Sequence, residues 1–205
     1  THAHSDHIDN ADEIIHRFHP KVILSPEYSD KWITNERALW DNQYVYDRLV
    51  QAAQWAVGDY GARFVQHVDR YNTRLRIGDA GAQIIPFDPD EGYKVKGATD
   101  ANNMGWGAKV TAFGHSAFLA ADLMDTESDW ETHNGIEDRV AAVVGEVDLL
   151  KAGHHGLPSS NFENLLNTLA PSAIAQTGVH QNAPDRLSAS VINGSGARWY
   201  PMGNI

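Results

Sequence analysis

Apolar residues recur at helical spacing through the start of the chain. Ile8, Ala11, Ile15 and Phe18 fall three or four positions apart, which predicts a helix beginning near His7 and stopping before Pro20. "KVILS" at 21–25 is a short apolar run closed by Pro26, and it predicts a buried strand. Residues 40–57 return to the helical period, with Tyr46, Leu49, Val50, Ala53 and Val57 on the apolar stripe and Gly58 as the stop signal. The pattern then changes. "RFVQHV" (63–68), "RLRIG" (74–78) and "AQIIPF" (82–87) are short runs between Gly, Asp and Pro and predict strands; 88–103 predicts a long loop of turn formers. Residues 107–123 predict a hairpin turning at Gly114-His115. A helix at 136–145, a strand at 147–153, a helix at 162–169 and a strand at 172–178 follow. No internal repeat or interdomain linker interrupts this order. Alternating strands and helices around an antiparallel middle predict one layered α/β domain over residues 1–205.

Composition narrows the function classes. Of the 205 residues 42% are hydrophobic and 21% charged, which suits a globular domain with a buried core. No run of eighteen apolar residues is present, so the sequence predicts no membrane span in this chain. The absence of Cys removes disulfides, thiolate ligands and Cys nucleophiles together, so any metal would be held by His and carboxylates. A formal net charge of −11 argues against an extended nucleic-acid surface, which would need Lys and Arg. A small site for a phosphate ester is compatible with that charge, because a bound ion outweighs distant surface residues.

Eleven His residues are present, and they cluster at 2–7 and at 154–155. The chain opens "THAHSDHIDN". In an extended segment residues i and i+2 point the same way, so His2 and His4 can reach one ion. Asp6 and His7 stand where the chain turns into the helix and can reach a second. Two plainer readings compete: tag remnants for His2 and His4, and a helix N-cap for Asp6. Asp122 ends the apolar run "SAFLAADL", where a carboxylate is costly unless it is paired, capping or metal-bound. "LLKAGHHGLPSSN" places His154 and His155 at a strand end, followed by Gly156 for a sharp turn; a pair of satisfied core histidines is the alternative. Ser160 and Glu163 fit a capping box, which predicts a helix N-terminus just past His155. Such an end favours anions, so Ser159 or Ser160 are candidate phosphate contacts. His180 follows a strand end that could face the same site.

Taken together, THAHSDH, FLAADL and KAGHHGLPSS resemble the metallo-β-lactamase-fold hydrolase superfamily. Within it they are most similar to the hydrolase domain of the competence protein ComEC and its stand-alone relatives. "RLRIGDAGAQIIPF", "DANNMGWGAKVTAFGHSAFLAADL" and "HHGLPSSNFENLLNTLAPSAIAQTGVH" follow that group's order, so the resemblance spans nearly the whole chain. It implies an αββα four-layer sandwich whose N-terminal strands would lie before Thr1, and hence a truncated domain or a fragment. It implies that His2 and His4 serve one metal position, that Asp6, His7 and His155 (or His154) serve the other, and that Asp122 bridges them. His155, next to the glycine, is the favoured ligand, which leaves His154 to touch substrate. Two departures stand out. Where many members carry another His, this chain reads "DANNMG", so Asn102 or Asn103 would complete a weaker first position. Gly105 stands where that branch often has Ser.

The expected activity is that of a metal-dependent hydrolase, with a phosphodiesterase or nuclease-type reaction favoured. One or two Zn²⁺ ions are the first choice of cofactor, with Mn²⁺ or Fe open, and they would acidify an attacking water that Asp6 orients. The expected substrate is an anionic phosphate ester. The alternatives are hydrolysis of carboxylic esters, lactones or amides on the same centre, and a catalytically silent metal-binding module of a larger protein. The resemblance leaves the compartment open between a cytoplasmic enzyme and a domain attached to a membrane protein.

Overall fold

The computed structural model describes residues 1–69, 73–87, 100–126, 131–178 and 193–202. Among these residues the chain forms two sheets, one of two strands and one of seven. The N-terminal apolar stripe is divided between two helices, α1 (Ser5–Ile8) and α2 (Ala11–Phe18). A short strand β1 (Val22–Leu24) follows, then the long helix α3 (Asn42–Tyr60). α3 runs through Gly58, the expected stop, and ends at Gly61, whose left-handed backbone (φ 75°) closes the last turn with a bond from its N–H to Ala56 O. The crossover returns the chain to β2 (Arg63–Val65), which pairs in parallel with β1 from Val22↔Arg63 to Leu24↔Val65. Ile15, Ile23, Ala52, Ala53, Ala56 and Ala62 are buried together there.

The large sheet runs β3 (Arg74–Ile77), β4 (Ala80–Pro86), β5 (Trp106–Ala112), β6 (His115–Leu119), β7 (Leu149–Lys151), β8 (Ala173–Gln176), β9 (Arg198–Pro201) in spatial as well as chain order. β3 to β6 form an antiparallel meander and β6 to β9 are parallel. The hairpin between β5 and β6 turns on Phe113-Gly114, one residue earlier than the sequence predicts, since Ala112 pairs with His115. Both turn residues have positive φ, 53° and 80°, as a tight two-residue hairpin requires. The parallel half needs crossovers, supplied by α4 (Ile136–Val144) and α5 (Glu163–Leu169). They join the sheet in one core containing Phe87, Phe118, Ile136, Leu150, Leu165 and Ile174. Among the described residues no helix is long and apolar enough to cross a membrane.

A further cluster decides what the first residues do. Ala3 and Ile8 are buried with Tyr28, Val45, Tyr46, Leu49, Ala101 and Met104. Trp106 N–H donates to Thr1 O at 2.9 Å, which lays the N-terminal stretch beside β5. His2 and His4 are buried inside the fold, so the tag reading is set aside.

Candidate metal centre

Four segments meet at one end of the large sheet. Residues 2–7 form the docked N-terminal loop and first turn of α1. A 3₁₀ turn, Ala101–Met104, leads into β5. Asp122 lies three residues beyond the end of β6, and His154 and His155 lie in the turn Gly153–Gly156 after β7. Asp122 and the two histidines therefore come from the carboxyl ends of parallel strands, where crevices open in α/β sheets. The backbone there is unusual. Ala121, His154, His155 and Asn161 all take positive φ (45°, 43°, 55° and 64°), a conformation that L-residues keep only when their surroundings enforce it. At Gly156 (φ 83°) a Cβ would stand 2.7 Å from the Gln176 amide nitrogen, so glycine is required on both counts.

The side chains converge on one atom, Asp122 Oδ2. His7 Nε2 and His155 Nε2 each lie 3.2 Å from it, and His2 Nε2 lies 3.9 Å away. Asp6 Oδ2 is 3.2 Å from His155 Nε2 and 3.5 Å from His7 Nε2, and the two imidazole nitrogens are 3.3 Å apart. Asp6, His7, Asp122 and His155 thus bring four donor atoms within 4.8 Å of one another; His2, His4 and Asp122 do the same with three. Outer contacts turn the ring nitrogens inward: His7 Nδ1 bonds Thr1 Oγ1 at 3.0 Å, and His155 Nδ1 faces Thr177 Oγ1 at 3.4 Å.

Electrostatics fit the same picture. Burial pushes the Asp122 carboxyl up, but hydrogen bonds from His155 and His7 and the charges of His2 and His7 outweigh it, so the group sits well below the usual carboxylate range. Burial, followed by repulsion from His4, drives His2 well below the ordinary histidine value. Burial also lowers His4. Neutral His2 and His4 beside an ionised carboxylate are in the protonation states that metal ligation needs, whereas the hydrogen bond to Asp122 raises His155 above its ordinary value. Both ring nitrogens of His2 and Nε2 of His4 are buried without a hydrogen bond. Since buried polar atoms are almost always satisfied, this donor set fits a cation.

His154 stands apart from these two groups. Its Nε2 accepts from Asn102 Nδ2 at 3.3 Å, so Nδ1 carries the proton and donates to Ser159 Oγ at 2.6 Å. Burial lowers its pKa and keeps it neutral. Asn102 and Asn103 are both buried in the 3₁₀ turn. His180 lies outside the described residues.

The capping box is not formed. The N-cap of α5 is Phe162, with no side-chain cap bond, and Ser160 Oγ instead reaches Gly153 O (2.9 Å) and Leu157 O (3.0 Å). The backbone donors ahead of α5 are taken by Glu137, which accepts from Asn161 N and Phe162 N. A carboxyl group of the protein's own thus accepts from the donors ahead of this helix. The Gly105 departure also has a steric reason, because a Cβ there would meet the Phe87 ring at 2.9 Å.

Sequence reasoning missed four residues. Lys151 Nζ donates to Ala121 O (2.6 Å) and lies 3.7 Å from Asp122 Oδ1, so the carboxylate is flanked by a cation on one side and imidazoles on the other. Asp100 Oδ1 is 3.4 Å from His4 Nε2. Asn161 grips the start of the histidine turn, accepting from Gly153 N (2.8 Å) and donating to Gly153 O (3.0 Å), and Glu137 holds Asn161. Only the "DANN" turn signal before β5 hinted at Asp100; Glu137 looks in sequence like any acid in the first turn of a helix.

No family model matches this chain, and no curated protein does. Solved structures do. The chain aligns over 97% of its length with CmlA, a diiron beta-hydroxylase from Streptomyces venezuelae, at 17% identity and a TM-score of 0.52. The likeness is one of fold. This chain spans 42% of that protein, less than half its length. The metallo-beta-lactamase fold protein YhfI from Bacillus subtilis aligns over 88% of this chain and 73% of its own, at 10% identity and a TM-score of 0.43. The mixed α/β architecture with its seven-stranded sheet is the fold shared with CmlA.

Proposed function

We propose that this chain is a metal-dependent hydrolase of the ComEC-like branch of the metallo-β-lactamase fold and that it acts on a phosphodiester. The observation that carries the reading is the shared Asp122, whose Oδ2 is approached by histidines of both donor groups. His2, His4 and Asp122 would hold one divalent ion, and Asp6, His7, Asp122 and His155 another. Ions held there supply Lewis acidity and acidify a water at neutral pH.

The chain's own groups have separable tasks. The Asp6 side chain is 60% exposed, beside the otherwise enclosed Asp122, so its carboxylate can orient a water and take its proton at Oδ1, the oxygen not turned to the histidines. Lys151 holds Asp122 in one orientation and adds positive charge behind it. His154 braces Asn102 against Ser159 and fixes the wall of the site. Two divalent ions and Lys151 exceed the charge of Asp6 and Asp122, which favours an anionic substrate over a neutral ester in this acidic protein.

The test is hydrolysis of bis(4-nitrophenyl) phosphate and of 4-nitrophenyl acetate by protein stripped with chelator and reloaded with Zn²⁺, Mn²⁺ or Fe²⁺. Metal-restored turnover of the phosphodiester supports the proposal. Restored turnover of the acetate alone moves the assignment to ester hydrolysis. Metal bound without turnover of either points to a silent module.

A further inference from the structure

We propose that Asp100 is a metal ligand, completing the half-site of His2, His4 and Asp122 in place of the asparagines that follow it. This rests on the metal-centre reading above and extends it to a residue that the superfamily pattern does not supply. The resemblance implies a fourth donor from Asn102 or Asn103, and therefore a weak position. The geometry points elsewhere.

His2 is 2% exposed with neither ring nitrogen hydrogen-bonded, and His4 Nε2 is likewise buried and unbonded, so this pocket lacks a partner. Asp100 Oδ1 faces His4 Nε2 at 3.4 Å. That is long for a hydrogen bond from an imidazole, but two donors each about 2.1 Å from one tetrahedral ion stand about 3.4 Å apart. The other half-site shows the same spacing, with its donor pairs 3.2 to 3.5 Å apart. Asp100 is also pre-set. Its side chain caps the 3₁₀ turn by accepting from Asn102 N at 2.9 Å, which fixes the carboxylate toward His4 before any ion arrives. Asn102, the rival, spends its amide nitrogen on His154 Nε2 and Met124 Sδ while its Oδ1 is buried without a hydrogen bond, so the Asn102→Ala variant is what separates the two candidates.

With Asp100 drawn in from beside His4, the donor of this group that it faces, each half-site would have two imidazoles and two carboxylates, one of them shared. Neither half is then the weak one, and a mixed nitrogen–oxygen set suits a divalent first-row ion such as Zn²⁺, Mn²⁺ or Fe²⁺. The pair of ions would face three carboxylates instead of two.

The experiment is metal per chain by elemental analysis after stripping, reloading with Zn²⁺ or Mn²⁺ and dialysis, on wild type, Asp100→Ala, Asp100→Asn and Asn102→Ala. Two ions are expected in wild type and in Asn102→Ala, and one in each Asp100 variant. Asp100→Asn keeps an acceptor for Asn102 N–H, so it should fold with a wild-type near-ultraviolet circular dichroism spectrum. Its second ion should be weaker by more than about 100-fold, since losing even an outer partner costs 10–100-fold. Two ions in the Asp100 variants would overturn the proposal alone. One ion in Asn102→Ala, with two in the Asp100 variants, would hand the role to Asn102. One ion in wild type, unchanged in all variants, would also overturn it. None in any protein would sink the metal-centre reading beneath it.

Discussion

The two halves of the centre differ in how they meet solvent. His2, His4 and Asp122 are all buried, whereas the other half shares Asp122 but ends in Asp6, which is exposed. They also differ in origin. His2 and His4 come from one loop, while the open half needs residue 155 to reach residue 6. Closed coordination is the mark of a structural ion and an open position that of a catalytic one. On the proposed function, the enclosed half would hold charge in place and the open half would be where a substrate is met.

Asp122→Ala should do most damage, because it abolishes the comparison itself. Both ions are expected to be lost, with phosphodiester turnover down by more than about 100-fold. Elemental analysis together with initial rates checks this; an ion retained at full occupancy would show that the halves do not depend on their common carboxylate.

A smaller effect should fall on the open half alone. Glu137 supports Asn161, and Asn161 supports the turn that carries His155. Glu137→Ala leaves two backbone donors buried without an acceptor, for a loss of about 2–5 kcal/mol in urea unfolding. Its titration gives a separate reading. Burial pushes Glu137 up to about 8, above its ordinary value of 4.5. The folded state then binds the extra proton between those values, so this group's contribution is fully present below about pH 4.5 and is lost as pH rises through about 8. Relative to Glu137→Gln, wild type should lose stability across that window with a slope approaching about 1.4 kcal/mol per pH unit. Parallel curves for the two proteins would contradict it.

The smallest effect is expected beside the enclosed half. Trp40 is 70% exposed, holds a left-handed φ of 38° and touches His4 edge-on, with ring centroids 4.9 Å apart. Trp40→Gly removes a bulky side chain from a conformation that glycine adopts freely, so thermal stability should stay within about 0.5 kcal/mol and metal content should be unchanged. A lost ion would show that the ring orders His4.

Much of this was legible in the chain. Period and punctuation located most elements, and His2, His4, Asp6, His7, Asp122 and His155, which the resemblance implies as one site, lie together in two groups that share Asp122. The failures share a physical cause. Gly58 read as a helix stop because glycine is a poor helix former, yet packing of Ala52, Ala53 and Ala56 carries α3 on to Gly61. Ser160 read as a cap because a capping box is a local pattern, while the acceptor actually used, Glu137, comes from another helix. That Asp100 faces His4 is likewise visible only in the fold. Local signals survive in a sequence; partners chosen across the sheet do not.

The distance along the chain between Asp6 and His155, 149 residues, bears on the order of assembly. Contacts of that separation require most loop closures to be complete, so the open half is among the last structures to form. His2, His4, Asp6 and His7, by contrast, lie within six residues and can chelate an ion before any sheet exists. An ion so captured stabilises the unfolded chain as well as the native one, and the net gain from metal is reduced accordingly. Refolding in the presence of excess zinc is therefore a contest between an early local chelate and the finished centre.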